Sequence, residues 1–111
     1  MDIAFSIGGG AREWNDTARM VRKHGPARAK LIRRRLDDLK AAHCLNVMRN
    51  LPGRTHELKG DRLGELSIDL DGPFRLIFRP EKQLPPAKVD GGLDWKEVTA
   101  IMILEVADTH E

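Results

Sequence analysis

The apolar residues of this 111-residue chain change period at Leu51-Pro52-Gly53. Before that break, Ala29, Ile32, Leu36 and Leu39 recur at spacings of three and four residues, which lays one apolar stripe along a helix. After it, Leu66, Ile68 and Leu70 alternate with Ser67, Asp69 and Asp71, a spacing of two that belongs to a strand with one wet face. A chain that is helical first and extended afterwards has few ways to bury both patterns. The expected fold class is α+β: a small twisted, mostly antiparallel sheet with two N-terminal helices packed on one face.

The remaining elements follow from local signals. Asp2 to Ile7 alternates weakly and ends at Gly8-Gly9-Gly10, which predicts a short first strand and a turn. The triplet lacks the pattern of a phosphate-binding loop. Residues 11–23 suit a polar helix that stops at His24-Gly25-Pro26, where a second helix restarts and runs to about His43. Asp71-Gly72 signals a hairpin turn between the Leu66 strand and Phe74–Arg79. There Phe74, Leu76 and Phe78 point one way and Arg75, Ile77 and Arg79 the other. Pro80 to Trp95 is a long loop rich in proline, glycine and charge. Val98 to Val106, apolar on both faces, reads as a central strand.

Length and composition place all of this in a single domain spanning 1–111 with one modest core. Apolar residues make up 41% and charged residues 32%, which fits a globular chain. No apolar run approaches the roughly 20 residues of a membrane span, and the first residues lack the features of a secretory signal. The lone Cys44 suits a reducing cytoplasm and a packing role. Charge is polarised: residues 1–62 hold 14 Lys/Arg against 7 Asp/Glu, net +7, and residues 63–111 hold 5 against 10, net −5. Arg19 to Arg35 contains eight basic residues and no acidic one. Such a stripe either attracts a polyanion or forms a solvated helix face. With only five aromatics in the chain, Trp14 and Trp95 read as packing anchors rather than base-stacking platforms.

The residues that carry chemistry are Lys59 and Arg62 in Leu58-Lys59-Gly60-Asp61-Arg62, Arg75 and Arg79 on one strand, and Asp108 and His110 at the end of another. Cutting RNA requires attack of the 2′-OH on the adjacent phosphorus. A base takes its proton, an acid protonates the leaving 5′-oxygen, and cations stabilise the charge gained by the phosphorane. His110 is the leading acid, since imidazole exchanges protons near neutral pH. Asp108 can orient it or act as base. Lys59, Arg62, Arg75 and Arg79 offer positive charge, the arginines with bidentate geometry for phosphate. His56 is a second proton-transfer or phosphate contact. No cluster has metal-ligand spacing, so neither metal nor cofactor is expected.

Arg54-Thr55-His56-Glu57-Leu58-Lys59-Gly60-Asp61-Arg62, then Leu66-Ser67-Ile68, then Phe74-Arg75-Leu76-Ile77-Phe78-Arg79, then a last strand ending Asp-x-His, resembles the RelE/ParE toxin superfamily in its HigB-like branch. The resemblance covers roughly residues 54–111, and Asp90-Gly91-Gly92-Leu93-Asp94-Trp95 is similar to the variant of that branch termed a killer protein. It implies a microbial-ribonuclease fold and the toxin of a type II toxin-antitoxin pair. Such a toxin cuts mRNA on the ribosome without metal and is neutralised by a helix-turn-helix antitoxin. One departure stands out. Relatives carry tyrosine between the terminal acid and histidine, whereas this chain has Thr109 and no tyrosine at all. An aromatic there stacks on a base, a contact of about 1–3 kcal/mol that threonine cannot make. Two other readings stay open: a gyrase inhibitor like the ParE side of the superfamily, and an inactive relative that binds its antitoxin and regulates an operon.

Overall fold

A computed structural model of the chain describes residues 1–6 and 10–108. Its elements are β1 (Asp2–Phe5), α1 (Gly10–Asn15), α2 (Thr17–His24), α3 (Pro26–Ala41), β2 (His56–Glu57), β3 (Leu66–Asp69), β4 (Phe74–Pro80) and β5 (Ala100–Asp108), with 3₁₀ turns at Leu45–Asn50, Gly60–Arg62 and Trp95–Glu97. The strands form one sheet in the order β1-β5-β4-β3-β2. Pairing is antiparallel throughout except that β1 runs parallel to β5, with Asp2 opposite Ala100 and Phe5 opposite Ile103. The α+β expectation holds, with β5 as an interior strand. The expected turn at Gly8 and Gly9 lies outside the described residues, and Gly10 already begins α1.

The predicted helix over residues 11–23 is two helices. Asp16 separates them because its carboxylate accepts from the Arg19 amide at 3.1 Å and caps α2. Gly25, at φ +82°, ends α2, and Pro26 starts α3 in the first-turn position where no amide hydrogen is needed. The apolar stripe then does what its spacing requires. Ala29, Ile32, Leu36 and Leu39 are buried against Leu66, Ile68, Leu76, Phe78, Ile101 and Ile103 on one face of the sheet. The helix stops at Ala41, short of His43, because Ala42 turns to extended backbone.

Part of the basic stripe is absorbed by this packing. Arg28 makes a two-nitrogen ion pair with Asp71, at 2.8 and 3.1 Å, and its guanidinium lies 3.5 Å above the Phe74 ring. Arg33 donates to the Trp14 carbonyl at 2.6 Å. Arg35 is buried between α3 and β3 and donates to the Asp69 carbonyl at 3.0 Å. Arg19, Arg22, Lys23, Lys30 and Arg34 remain exposed. Four arginines of the run, Arg19 included, thus cap or fasten helices, and the positive charge open to solvent is smaller than the sequence count implies.

Two features of the second half set the geometry of the sheet. Gly53 packs so closely that a Cβ there would sit 2.5 Å from Ile68 Cγ2 and 3.0 Å from Arg35 Nε, and its φ of +111° suits glycine alone. A bulge in β5 sets Ile77 opposite Glu105 but Phe78 opposite Ile103, leaving Leu104 as the extra residue. The long loop folds on itself through an Ala87–Leu93 bridge and a 2.7 Å bond from the Lys88 amide to the Gly92 carbonyl. It delivers Trp95 into the core, where the indole donates to Glu57 at 3.0 Å and stacks beneath Arg49. Trp14, also buried, stacks on Phe5. Both tryptophans are therefore packing residues.

Gly53→Ala is expected to cost about 2–4 kcal/mol, combining a forbidden φ with overpacking against Ile68, and urea unfolding measures it. Arg28, chiefly by its hydrogen bond, holds the Asp71 carboxyl below the usual carboxylate range. A depressed folded-state value gives stability that is present above the unfolded value and lost as pH falls through the folded one. Asp71→Asn should therefore melt below wild type at neutral pH, and the gap should close below the usual carboxylate range.

Candidate functional site on the open sheet face

The helices cover one face of the sheet, so the other face must be completed by side chains of the strands themselves. Register defines what stands there. His56 pairs with Ser67, Ser67 with Ile77, and Ile77 with Glu105, which sets these four in one row across β2, β3, β4 and β5. Arg75, opposite both Asp69 and Ala107, and Arg79, opposite Met102, flank the row along β4. Ser67 and Ile77 are 1% and 0% exposed although no helix lies over them. The predicted wet face of β3 is therefore closed at its centre. Arg62 crosses this face. From the turn before β3 it reaches Glu105 on β5 at 3.5 Å, and so spans the two strands between.

Each charged group on this face has an assignable partner. Arg62 Nη1 donates to Glu65 at 2.7 Å while Nη2 faces Glu105. The hydrogen bond to Glu65 does most to raise the Arg62 pKa, burial opposes it, and Glu105 adds to the rise. Arg75 Nε lies 2.8 Å from Asp69, and its Nη1 donates to the carbonyls of Gly72 and Phe74, which locks the β3–β4 turn. Arg54 approaches the other oxygen of Asp69 at 3.2 Å from a positive φ of 49°. Arg79 donates to the carbonyls of Pro80 and Glu81 at 2.9 and 3.2 Å and lies against Met102 Sδ. Of the arginines named from the sequence, only Arg79 has no carboxylate within its described contacts.

His56 is held in one orientation. Its Nδ1 lies 2.8 Å from the Arg54 carbonyl, and because a carbonyl only accepts, Nδ1 must carry the hydrogen. Nε2 then faces the Ser67 hydroxyl at 3.4 Å and is the nitrogen left to exchange a proton. Lys59 is exposed at the rim, immediately before the Gly60–Arg62 turn, where Gly60 adopts φ +64°.

The structure therefore gathers His56, Arg62, Arg75 and Arg79 on one face, with Lys59 at its border. Asp108 stands differently. It pairs with Phe74, two residues beyond the Val106–Leu76 pair that faces the helices, so register sets it on the helix side at the end of β5. Thr109 and His110 lie outside the described residues. Sequence reasoning placed Ser67 and Asp69 on the wet face of β3 without giving them a role, and it missed Glu105. For Glu105 a signal existed: it is a lone charge inside an otherwise apolar central strand.

One indentation of about 240 Å³ lies between the long loop and β3, lined by Glu57, Leu66, Pro80, Pro86 and Leu93. Another of about 350 Å³ lies between β1 and α3, lined by Ile3, Phe5, Arg33 and Leu36. Neither includes the side chains of the row. Among the described residues, no group of three or more His, Cys, Asp and Glu side chains could hold a metal ion. No helix among them is long and apolar enough to cross a membrane.

No family model and no curated protein matches this sequence. Its structure is similar to that of a YoeB/ParE toxin from Agrobacterium tumefaciens, with a TM-score of 0.59 over 99% of this chain and 100% of the other, at 13% sequence identity. At that identity the likeness is one of fold.

Long-range proton–nitrogen NMR at alkaline pH is expected to find neutral His56 as the Nδ1–H tautomer. An Nε2–H signal would contradict the bond to the Arg54 carbonyl.

Proposed function

We propose that this protein is a toxin of a toxin-antitoxin pair that cleaves mRNA. The observation that carries the reading is the sheet face away from the helices, where one oriented histidine and three arginines converge, on a fold shared with a YoeB/ParE toxin. An extended polyanion fits such a surface, and a small substrate would need a cavity.

The chemistry follows from the groups present. Among the cations singled out at this face, Arg79 and Lys59 have no described carboxylate partner, which suits them to gripping the RNA backbone. Arg62 lies between them with one nitrogen fixed by Glu65, which pre-orients its planar head. Positive charge held in place before the reaction stabilises the phosphorane without reorganisation. Arg75, locked by Asp69 and the turn, contributes charge and shape more than a mobile contact. Proton delivery to the 5′-oxygen falls to His110, with His56 Nε2 as the second donor. Asp108 acts with His110 from the end of β5. The HigB-like motif of the sequence supports mRNA bound on the ribosome as the substrate and a helix-turn-helix antitoxin as the partner, in the cytoplasm.

A non-nucleolytic reading, as a gyrase inhibitor or an antitoxin-binding module, draws on Thr109 and on the carboxylates that already engage Arg62 and Arg75. Primer extension on mRNA with and without ribosomes separates the readings. Ribosome-dependent cuts are expected, and Lys59→Ala and His110→Ala should each lower the cleavage rate by about 100-fold or more and relieve growth arrest. Supercoiling defects without cuts would establish the gyrase reading instead.

A further inference from the structure

The acidic groups on the open face are not equivalent. Asp69 is bracketed by Arg54 and Arg75, at 3.2 and 2.8 Å. Glu65 takes the short 2.7 Å hydrogen bond from Arg62. Glu105 is held most loosely, at 3.5 Å from Arg62 Nη2, and its side chain is 52% exposed against 26% for Glu65 and 29% for Asp69. Its presence on this face is a product of the β5 bulge. Along an unbroken strand residue 105 would share the face of Ile101 and Ile103, both fully buried in the core, but the extra residue Leu104 turns it toward Ile77 and the arginines. Bulges commonly re-aim a side chain beside a functional site.

From this geometry, and resting on the nuclease reading above, we propose that Glu105 is the base of the cleavage reaction. A phosphate that binds Arg62 takes the weakly held Nη2, while Glu65 keeps Nη1 in place. The displaced Glu105 carboxylate then lies beside the phosphate, where the neighbouring ribose presents its 2′-OH. Glu105 removes the 2′-OH proton and the oxygen forms a bond to phosphorus. The bond from phosphorus to the 5′-oxygen breaks, and that oxygen receives a proton from the histidine acid. The products are a 2′,3′-cyclic phosphate and a 5′-OH end. Arg62 thus serves two states of one site: it holds the base in the free protein and the phosphate in the complex. Asp108, on the helix side of β5, is left to act on the C-terminal histidine.

Single-turnover cleavage of a defined mRNA on ribosomes tests the assignment with wild type, Glu105→Gln, Glu105→Asp and Asp108→Asn. Glu105→Gln should cut at least about 100-fold more slowly with ribosome binding changed less than twofold, and Glu105→Asp, which keeps the carboxylate, should regain part of the rate. A substrate whose leaving 5′-oxygen is replaced by sulfur needs no acid, so it should leave Glu105→Gln slow while restoring a histidine variant. A purely structural Glu105 would instead weaken binding, or lower the melting temperature in Gln and Asp variants alike, with the bound rate unchanged. That outcome, a normal rate in Glu105→Gln, or rescue of that variant by the sulfur substrate overturns the proposal. If wild type cuts no RNA, the nuclease reading falls first and takes the base with it.

Discussion

Asp69 is used on three sides at once. Its amide donates to the Gly53 carbonyl at 2.7 Å, its carbonyl accepts from buried Arg35, and its carboxylate lies between Arg54 and Arg75. The first two contacts fasten β3 to the segment after α3 and to α3 itself, on the helix side. The third organises the open face. A buried guanidinium demands hydrogen-bond acceptors, and the end of β3 provides one only because Gly53 leaves room for the Arg35 side chain. Helix packing and the arrangement of the candidate site are therefore not separable. The same residue fixes how α3 lies on the sheet and where two arginines stand on its other side.

The parts of this architecture that follow from period were legible in the sequence. Ala29, Ile32, Leu36 and Leu39 fixed α3 and its buried face, and alternation fixed β3 and β4 and put Arg75 and Arg79 on the same side. What depends on distant partners was not. Nothing in Asp2–Phe5 announces a parallel neighbour at Ala100–Ile103, because pairing partners leave no local mark. Ser67 read as solvent-facing because alternation carries no mark of what covers a strand from elsewhere in the chain. The bulge at Leu104 was equally hidden, and with it the face on which Glu105 stands, since one inserted residue changes every orientation beyond it.

Counting arginines also misjudged the electrostatics. Arg28, Arg33 and Arg35 form the densest part of the basic run, yet each has its hydrogen bonds directed inward, to Asp71, to the Trp14 carbonyl and to Asp69. On the open face the cations come from other segments: Lys59 before a turn, Arg79 on β4, and Arg62 held between two acids. A formal charge of +2 says little about such a molecule. The fold is shared with a toxin at 13% identity, which is what a core built on spacing rather than on particular side chains allows.

The parallel pair at the sheet edge has a consequence for how the chain comes together. Asp2 meets Ala100, 98 positions away, and β5 is also the neighbour of β4. β5, one of the interior strands, thus comes after the other four in chain order. Without it β1 has no strand to pair with, β4 pairs only with β3, and α3 has only part of the apolar surface it packs on. Closing so long a loop before any reward is a slow step.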